Sequence, residues 1–227
     1  MKEWLSAILL LSGLSLSTWA CAPDGDKANT ETPVPEPKPA PNPEPNPDPQ
    51  PGNSRSLVVY FTCTNTTKGV AAHIADLTGG TLHQIVPEVA YTAEDLNYNN
   101  ASSRANREQN DASARPGIRS KINNLSDYDV VFLGYPIWWG KAPKILSTFL
   151  ESYDLKGKTV VPFCTSGSSS LGSSDTDLHP LAPQAVWKPG QRFAGNATKE
   201  SISNWLNSLN LNLRPDNAGA FALSKGE

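Results

Sequence analysis

Between residues 57 and 78 the chain passes from one kind of repeat to another, and this change limits the folds open to it more than any other feature. Leu57 to Phe61 is an unbroken apolar run of strand length. Six mostly hydroxylic residues follow, Thr62-Cys63-Thr64-Asn65-Thr66-Thr67. Then Val70, Ala71, Ile74, Ala75 and Thr78 recur at helical spacing until Gly79-Gly80 stops the helix. A strand apolar on both faces has no side to turn to water, so it belongs in a sheet covered above and below, the setting of parallel βαβ units. The pattern recurs downstream. Thr81 to Val86 reads as a second strand, polar enough for an edge. Val130 to Gly134 reads as a third, Thr159 to Cys164 as a fourth and Gln184 to Trp187 as a fifth. Pro143 opens a helix with Ile145, Leu146, Phe149, Leu150 and Tyr153 on one face, and Ile202, Trp205, Leu206 and Leu209 mark a closing helix. The expectation is an α/β domain over residues 56–213, with a parallel sheet, helices on both faces and right-handed crossovers. Pro162 falls inside the fourth strand and calls for a bulge or a missing ladder bond. Residues 88–115, polar and rich in Asn, Ser and Arg, form a long connection without clear periodicity.

The chain ahead of this domain is of another kind. Every second residue from Pro33 to Pro51 is proline, with mainly polar and charged residues between. Such a segment cannot bury a core and favours polyproline II, a spacer reaching on the order of 60 Å. Residues 1–22 read as an export signal, with Lys2 near the start, an apolar stretch from Leu5 to Leu16 too short to cross a bilayer, and small residues around Cys21. Two processing routes stay open. Cys21 after Thr18-Trp19-Ala20 resembles an imperfect bacterial lipobox, which would make it a lipidated anchor; Ala20-Cys21-Ala22 also fits ordinary cleavage, giving a secreted or periplasmic form. The expected organisation is a signal at 1–22, a proline-rich linker at 23–55, the domain at 56–213 and a tail at 214–227. The protein then sits outside the cytoplasm and touches a membrane only through the lipid.

The net charge is −3, from 19 Lys+Arg and 22 Asp+Glu, and residues 57–227 carry 15 of each. The domain is therefore neutral, and no basic excess points to nucleic acid or an anionic surface. Cys63 and Cys164 fall at the ends of strands two apart, roughly 9 to 10 Å, beyond the about 7 Å a disulfide tolerates, so free thiols are expected. His73, His83 and His179 show no metal-ligand spacing, and no Gly-x-Ser-x-Gly elbow accompanies the serines after Cys164.

In an open parallel sheet, ligands bind beyond the carboxyl ends of the strands where the strand order reverses. The loops after the first, third and fourth strands are all unusual. Thr62, Thr64, Thr66 and Thr67, with the free amides of the following helix, would surround a phosphate without a lysine or a metal. The absence of Gly-x-x-x-x-Gly-Lys-Ser/Thr argues against a nucleoside triphosphate with magnesium. In Gly134-Tyr135-Pro136-Ile137-Trp138-Trp139-Gly140, neighbouring tryptophans point opposite ways, so one faces out and offers a planar ligand a stacking surface. Thr165-Ser166-Gly167-Ser168-Ser169-Ser170 lets backbone amides approach the polar edge of a heterocycle. Phosphate cradle, aromatic surface and polar edge on one rim match flavin mononucleotide.

Tyr60 to Lys68, Gly134 to Trp139 and Phe163 to Gly167 together resemble the three FMN loops of the flavodoxin family, over about residues 56–210. The resemblance implies a three-layer flavodoxin-like sandwich with a five-stranded parallel sheet of order 2-1-3-4-5, an arrangement for which FMN at the first and third strands is known. By this similarity Thr62, Thr64, Asn65, Thr66 and Thr67 would hold the phosphate. Pro136, Ile137, Trp138, Trp139 and Gly140 would lie along the ring, and Thr165, Ser166, Gly167 and Ser168 would approach its other side. Asn65 stands where the family commonly has glycine, and Asn tolerates left-handed backbone better than most residues. The function expected is electron transfer outside the cytoplasm, with an unidentified redox partner and no assigned catalytic residue. Two alternatives stand beside it. One is a flavin-dependent NAD(P)H or quinone oxidoreductase in which Arg104, Arg107 and Arg115 fold over the site; the other is a flavin-free domain binding some other phosphorylated or aromatic ligand.

Overall fold

Residues 54–213 are described by the computed structural model. The signal segment with Cys21, the alternating prolines and the tail at 214–227 lie outside the described residues. The elements follow the expected alternation: β1 (Ser56–Tyr60), α1 (Thr66–Thr78), β2 (Thr81–Gln84), α2 (Arg104–Asn110), β3 (Val130–Pro136), α3 (Ile145–Ser152), β4 (Thr159–Thr165), β5 (Val186–Trp187), β6 (Gln191–Phe193) and α4 (Lys199–Ser208). The strand order is β2-β1-β3-β4-β5, all pairs are parallel, and β6 also pairs with β4. This is the doubly wound flavodoxin-like sandwich, with the order reversing between β1 and β3.

The period-two alternation of the central strands sorts their side chains between two cores. Leu57, Val59, Phe61, Val131, Leu133 and Tyr135 pack on the side of α3, against Ile145, Leu146 and Phe149. Val58, Tyr60, Phe132, Val161 and Phe163 pack on the other side against Val70, Ala71 and Ile74 of α1 and Ile202 of α4. All five residues of β1 are buried, as its unbroken apolar run requires. Each large aliphatic side chain so placed contributes about 1.5–3 kcal/mol relative to exposure.

The outer strand departs from expectation. A single strand over Gln184 to Trp187 was implied; instead Val186 and Trp187 pair with Thr159 and Val160, and a second piece, Gln191 to Phe193, pairs with Phe163 to Thr165. Three steps along β4, from Val160 to Phe163, are matched by four along the outer strand, from Trp187 to Gln191. The Lys188-Pro189-Gly190 link therefore carries one extra residue. Pro162 explains the break. The carbonyl of Val160 accepts from Lys188 N at 2.9 Å, so by alternation Pro162 turns its nitrogen, which has no hydrogen to donate, to the same side. The ladder bond that β4 cannot make there coincides with the gap between β5 and β6. β6 escaped the sequence pattern because Gln191-Arg192-Phe193 holds one apolar residue.

The 88–115 connection is tied down at its start. Glu88 N donates to Gly117 O and Arg119 N to Val86 O, both at 2.8 Å, so the chain returns antiparallel beside its own beginning. Inside it lies α2, seven residues long.

Candidate functional site

Three rim loops leave the carboxyl ends of β1, β3 and β4, and direct contacts tie each to the next. Thr67 Oγ1 and Thr165 Oγ1 are 2.8 Å apart in a buried hydrogen bond, joining the first loop to the third. Ile137 N donates to Thr165 O at 3.0 Å, joining the second to the third. Cys63 and Thr64 line one cavity of about 230 Å³ with Pro136, Trp138 and Trp139, joining the first to the second. Roomier hollows of about 380 and 450 Å³ lie near the opposite ends of the strands, around Lys156 and around Thr78, away from these loops.

At the first loop, Asn65 takes the left-handed conformation, φ 63°, at the N-cap of α1. Its side chain makes no cap hydrogen bond, and the first turn carries no acidic residue. The amides that open any α-helix have no intrahelical acceptor, so here they remain free for an anion, aided by the helix dipole. The four threonines divide by exposure. Thr64 and Thr66 are exposed, with hydroxyls 3.0 Å apart. Thr62 and Thr67 are buried, and the Thr67 hydroxyl braces Thr165 rather than facing solvent. The solvent-facing hydroxyls are thus those of Thr64 and Thr66, and the Thr67 hydroxyl is taken.

At the second loop the two indoles differ in burial, Trp138 inside the core cluster and Trp139 half-buried against it. Trp138 is 8% exposed and packs edge-on against Phe61 and Tyr91, with centroids 5.5 and 5.3 Å away. Trp138 N donates to Lys141 O, and Lys141 N donates back to Trp138 O. The tight turn so closed puts both Trp139, φ 47°, and Gly140, φ 75°, in the left-handed region. Glycine bears this freely; tryptophan does so at a cost of order 1–2 kcal/mol. Such an outlier persists only where its surroundings impose it, and here it leaves the Trp139 indole half-buried at the edge of the core that holds Trp138. Tyr98, from the long connection, stacks on that indole at 3.9 Å and 13° and accepts the Trp139 amide hydrogen on its hydroxyl at 2.8 Å. No ring fits between them, so with Tyr98 in place that face of the indole is taken.

The third loop exposes Gly167 and Ser168, with open space where a Gly167 side chain would be. Ser166 N is occupied, donating to Phe193 O at 3.1 Å. The amides of Gly167 and Ser168, residues exposed like Ser169 and Ser170, donate to no such acceptor among the described residues. Both Cys63 and Cys164 are free thiols. Cys63 is exposed as a residue, yet desolvation of its sulfur by the packing around it pushes its pKa up to about 11. Burial drives Cys164 up to about 12. Neither is a reactive thiolate at neutral pH. Among the described residues no group of three or more His, Cys, Asp or Glu could hold a metal ion.

The family model described as Flavodoxin matches residues 55–209. The chain belongs to the flavodoxin family. Among solved structures, a presumptive flavoprotein from Bacteroides eggerthii DSM 20697 is 46% identical, covering 70% of this chain and 99% of that one, with a TM-score of 0.67. Another from Bacteroides uniformis ATCC 8492 is 39% identical over 68% and 99%, with a TM-score of 0.66. A flavoprotein from Lactobacillus acidophilus NCFM, crystallised with FMN, is 18% identical over 69% and 98%, with a TM-score of 0.53, a likeness of fold. No curated protein matches the chain.

In this flavodoxin the arginines of the long connection are each engaged by other groups of the protein, and Arg104 lies near enough to Cys63 of the first loop to act on its thiol. Arg104 pairs with Glu108 at 2.6 Å and lies 4.0 Å over the Tyr91 ring. Arg107 donates to Ser102 O, and Arg115 forms a two-pronged pair with Glu151 of α3 at 2.6 and 2.7 Å. Each is held by its own neighbours. The connection also contributes uncharged groups: Tyr91 behind Trp138, Tyr98 on Trp139, and Gln109, which donates to Trp138 O at 2.9 Å and Ala142 O at 3.3 Å and so holds both ends of the strained turn. These residues gave no advance signal, because an aperiodic polar segment says nothing about which of its side chains turns inward.

Proposed function

We propose that this flavodoxin binds FMN on the rim and passes electrons outside the cytoplasm. The observation that carries the reading is the rim itself: three loops joined by direct contacts, one opening a helix through a left-handed Asn65 with unshared amides, one holding Trp139 half-buried at the rim in a left-handed conformation. The residues fit the cofactor by chemistry. The amides at the start of α1, with the Thr64 and Thr66 hydroxyls, suit a phosphate; the Trp139 indole suits a flat ring; the Gly167 and Ser168 amides suit its polar edge. Family membership and 46% identity to a presumptive flavoprotein support the same cofactor. FMN supplies reversible uptake of one or two electrons. The chain's part is to bind it, shield one face and expose an edge to a partner. No charged side chain of the long connection points to a second substrate, which favours a carrier over an oxidoreductase.

The export signal and alternating prolines support a site outside the cytoplasm, with Cys21 as lipid anchor and the polyproline segment holding the domain clear of the membrane. Protein purified after incubation with FMN should be yellow, with a shifted flavin band, and should turn over neither NADH nor NADPH with a quinone. Colourless protein would leave the flavin-free binding domain as the reading, and steady turnover would leave the reductase. For the anchor, Cys21→Ser should move the protein from the membrane fraction to the soluble one; unchanged fractionation removes the lipid from the account.

A further inference from the structure

Arg192 lies under the third rim loop. It is the central residue of β6, paired in register with Cys164. Its Nη2 donates to Ser166 O at 2.6 Å and to Gly167 O at 2.9 Å. Both are backbone carbonyls. In a planar trans peptide the N–H points opposite to the C=O, so fixing the Ser166 and Gly167 carbonyls on the guanidinium turns the amides of Gly167 and Ser168 away from it. These two amides donate to no other group among the described residues.

The charge of Arg192 is not balanced by a neighbour. Among the described residues no carboxylate lies within ion-pair distance of it, and its Nε is buried without a partner. The rim loops, residues 62–67, 136–140 and 165–170, contain no Asp, Glu, Lys or Arg. Arg192 is thus a charged side chain hydrogen-bonded to a rim loop whose own residues carry no charge, with the Asp175 carboxylate acting on the same Cys164 thiol. A cation so placed, partly shielded from water, favours a ligand state that gains negative charge.

Resting on the reading that FMN occupies the rim, we infer that Arg192 is a positioning residue that aims the Gly167 and Ser168 amides at the polar edge of the ring and biases the bound flavin toward its reduced, anionic form. The balance is simple. Two electrons and one proton added to the neutral oxidised ring leave it with one negative charge, and the reductant in the assay, dithionite, supplies the electrons. The guanidinium neither gives nor takes a proton; it stabilises the product more than the reactant.

The test compares the full chain with R192M and R192K, measuring the dissociation constants of oxidised and dithionite-reduced FMN and the midpoint potential. R192M removes the charge and both hydrogen bonds, and should weaken reduced FMN about tenfold more than oxidised FMN, lowering a two-electron potential by about 30 mV. R192K keeps the charge on a side chain one atom too short to reach both carbonyls, so it should weaken oxidised FMN several-fold while the ratio between the two states stays near that of wild type. A purely structural role would weaken both states equally and leave the potential in place; that result in R192M overturns the inference even though wild type binds FMN. Should R192M fail to fold, R192K decides alone: oxidised-FMN affinity equal to wild type removes the positioning role. Wild-type protein that binds no FMN in either state removes this inference together with the reading beneath it.

Discussion

Trp139 stores backbone strain and offers a half-buried indole at the rim, and replacing it in two ways separates these roles. Its left-handed φ of 47° costs a residue with a side chain about 1–2 kcal/mol, and nothing for glycine. Its stack with Tyr98 returns about 0.5–1.5 kcal/mol. Trp139→Ala loses the stack and keeps the strain, so it should be less stable than wild type by about 1 kcal/mol. Trp139→Gly loses the stack and also the strain, so it should lie near wild type and about 1 kcal/mol above the alanine variant, less what glycine's extra freedom gives back to the unfolded chain. Binding behaves differently. Both variants lack the stacking surface, and both should weaken FMN by about 1–3 kcal/mol, roughly fivefold to a hundredfold or more. Urea unfolding followed by circular dichroism reads the stabilities, and quenching of flavin fluorescence on titration reads the affinities. A glycine variant no more stable than the alanine one would refute the strain argument, and unchanged affinity in both would refute the stacking surface.

Trp138→Ala should act through the core, costing about 3–5 kcal/mol of stability in the same urea assay, because that indole is buried against Phe61 and Tyr91. A loss below 1 kcal/mol would contradict the inward placement. Gly134→Ala should destabilise by about 1–3 kcal/mol, since an added Cβ would come within 2.2 Å of the Phe163 ring; an unchanged thermal midpoint would show that the ring moves aside freely. Cys63, with its pKa raised to about 11 from 9.0, holds roughly a hundredfold less thiolate at pH 8 than an unperturbed thiol, and its alkylation by iodoacetamide should slow accordingly. Raising the pH through 11 should restore the rate, and fast alkylation at pH 8 would count against the desolvated sulfur.

The sheet was legible because its strands carry their own explanation. Leu57 to Phe61 and Val130 to Gly134 are apolar on both faces, and only an interior parallel strand satisfies both. The rim loops were legible for a related reason: hydroxylic and glycine residues cluster where the strands end, and of two adjacent tryptophans only Trp138 is fully taken into the core, Trp139 staying half-buried against it. What escaped was set by tertiary contact. Thr67 and Thr165 look like neighbours of a ligand in the sequence, and in the fold their hydroxyls meet each other. Tyr98 and Gln109 sit in a polar segment without period, and their roles arise where that segment lands. Arg192 was hidden behind a strand with too few apolar residues to be seen.

The Lys188-Pro189-Gly190 link has a consequence beyond interrupting a ladder. Odd and even positions along an outer strand look toward opposite layers, and one supernumerary residue exchanges them. Counted straight on from Trp187, position 192 would sit beside Thr165 and look toward α1, and position 191 would take the place next to Cys164. The insertion is a frameshift written in space rather than in codons, and it delivers a guanidinium where glutamine would otherwise lie. Relatives of this chain could lengthen or trim their other surface turns freely, but a change of one residue at this link would exchange the groups beneath the third loop without altering any of them.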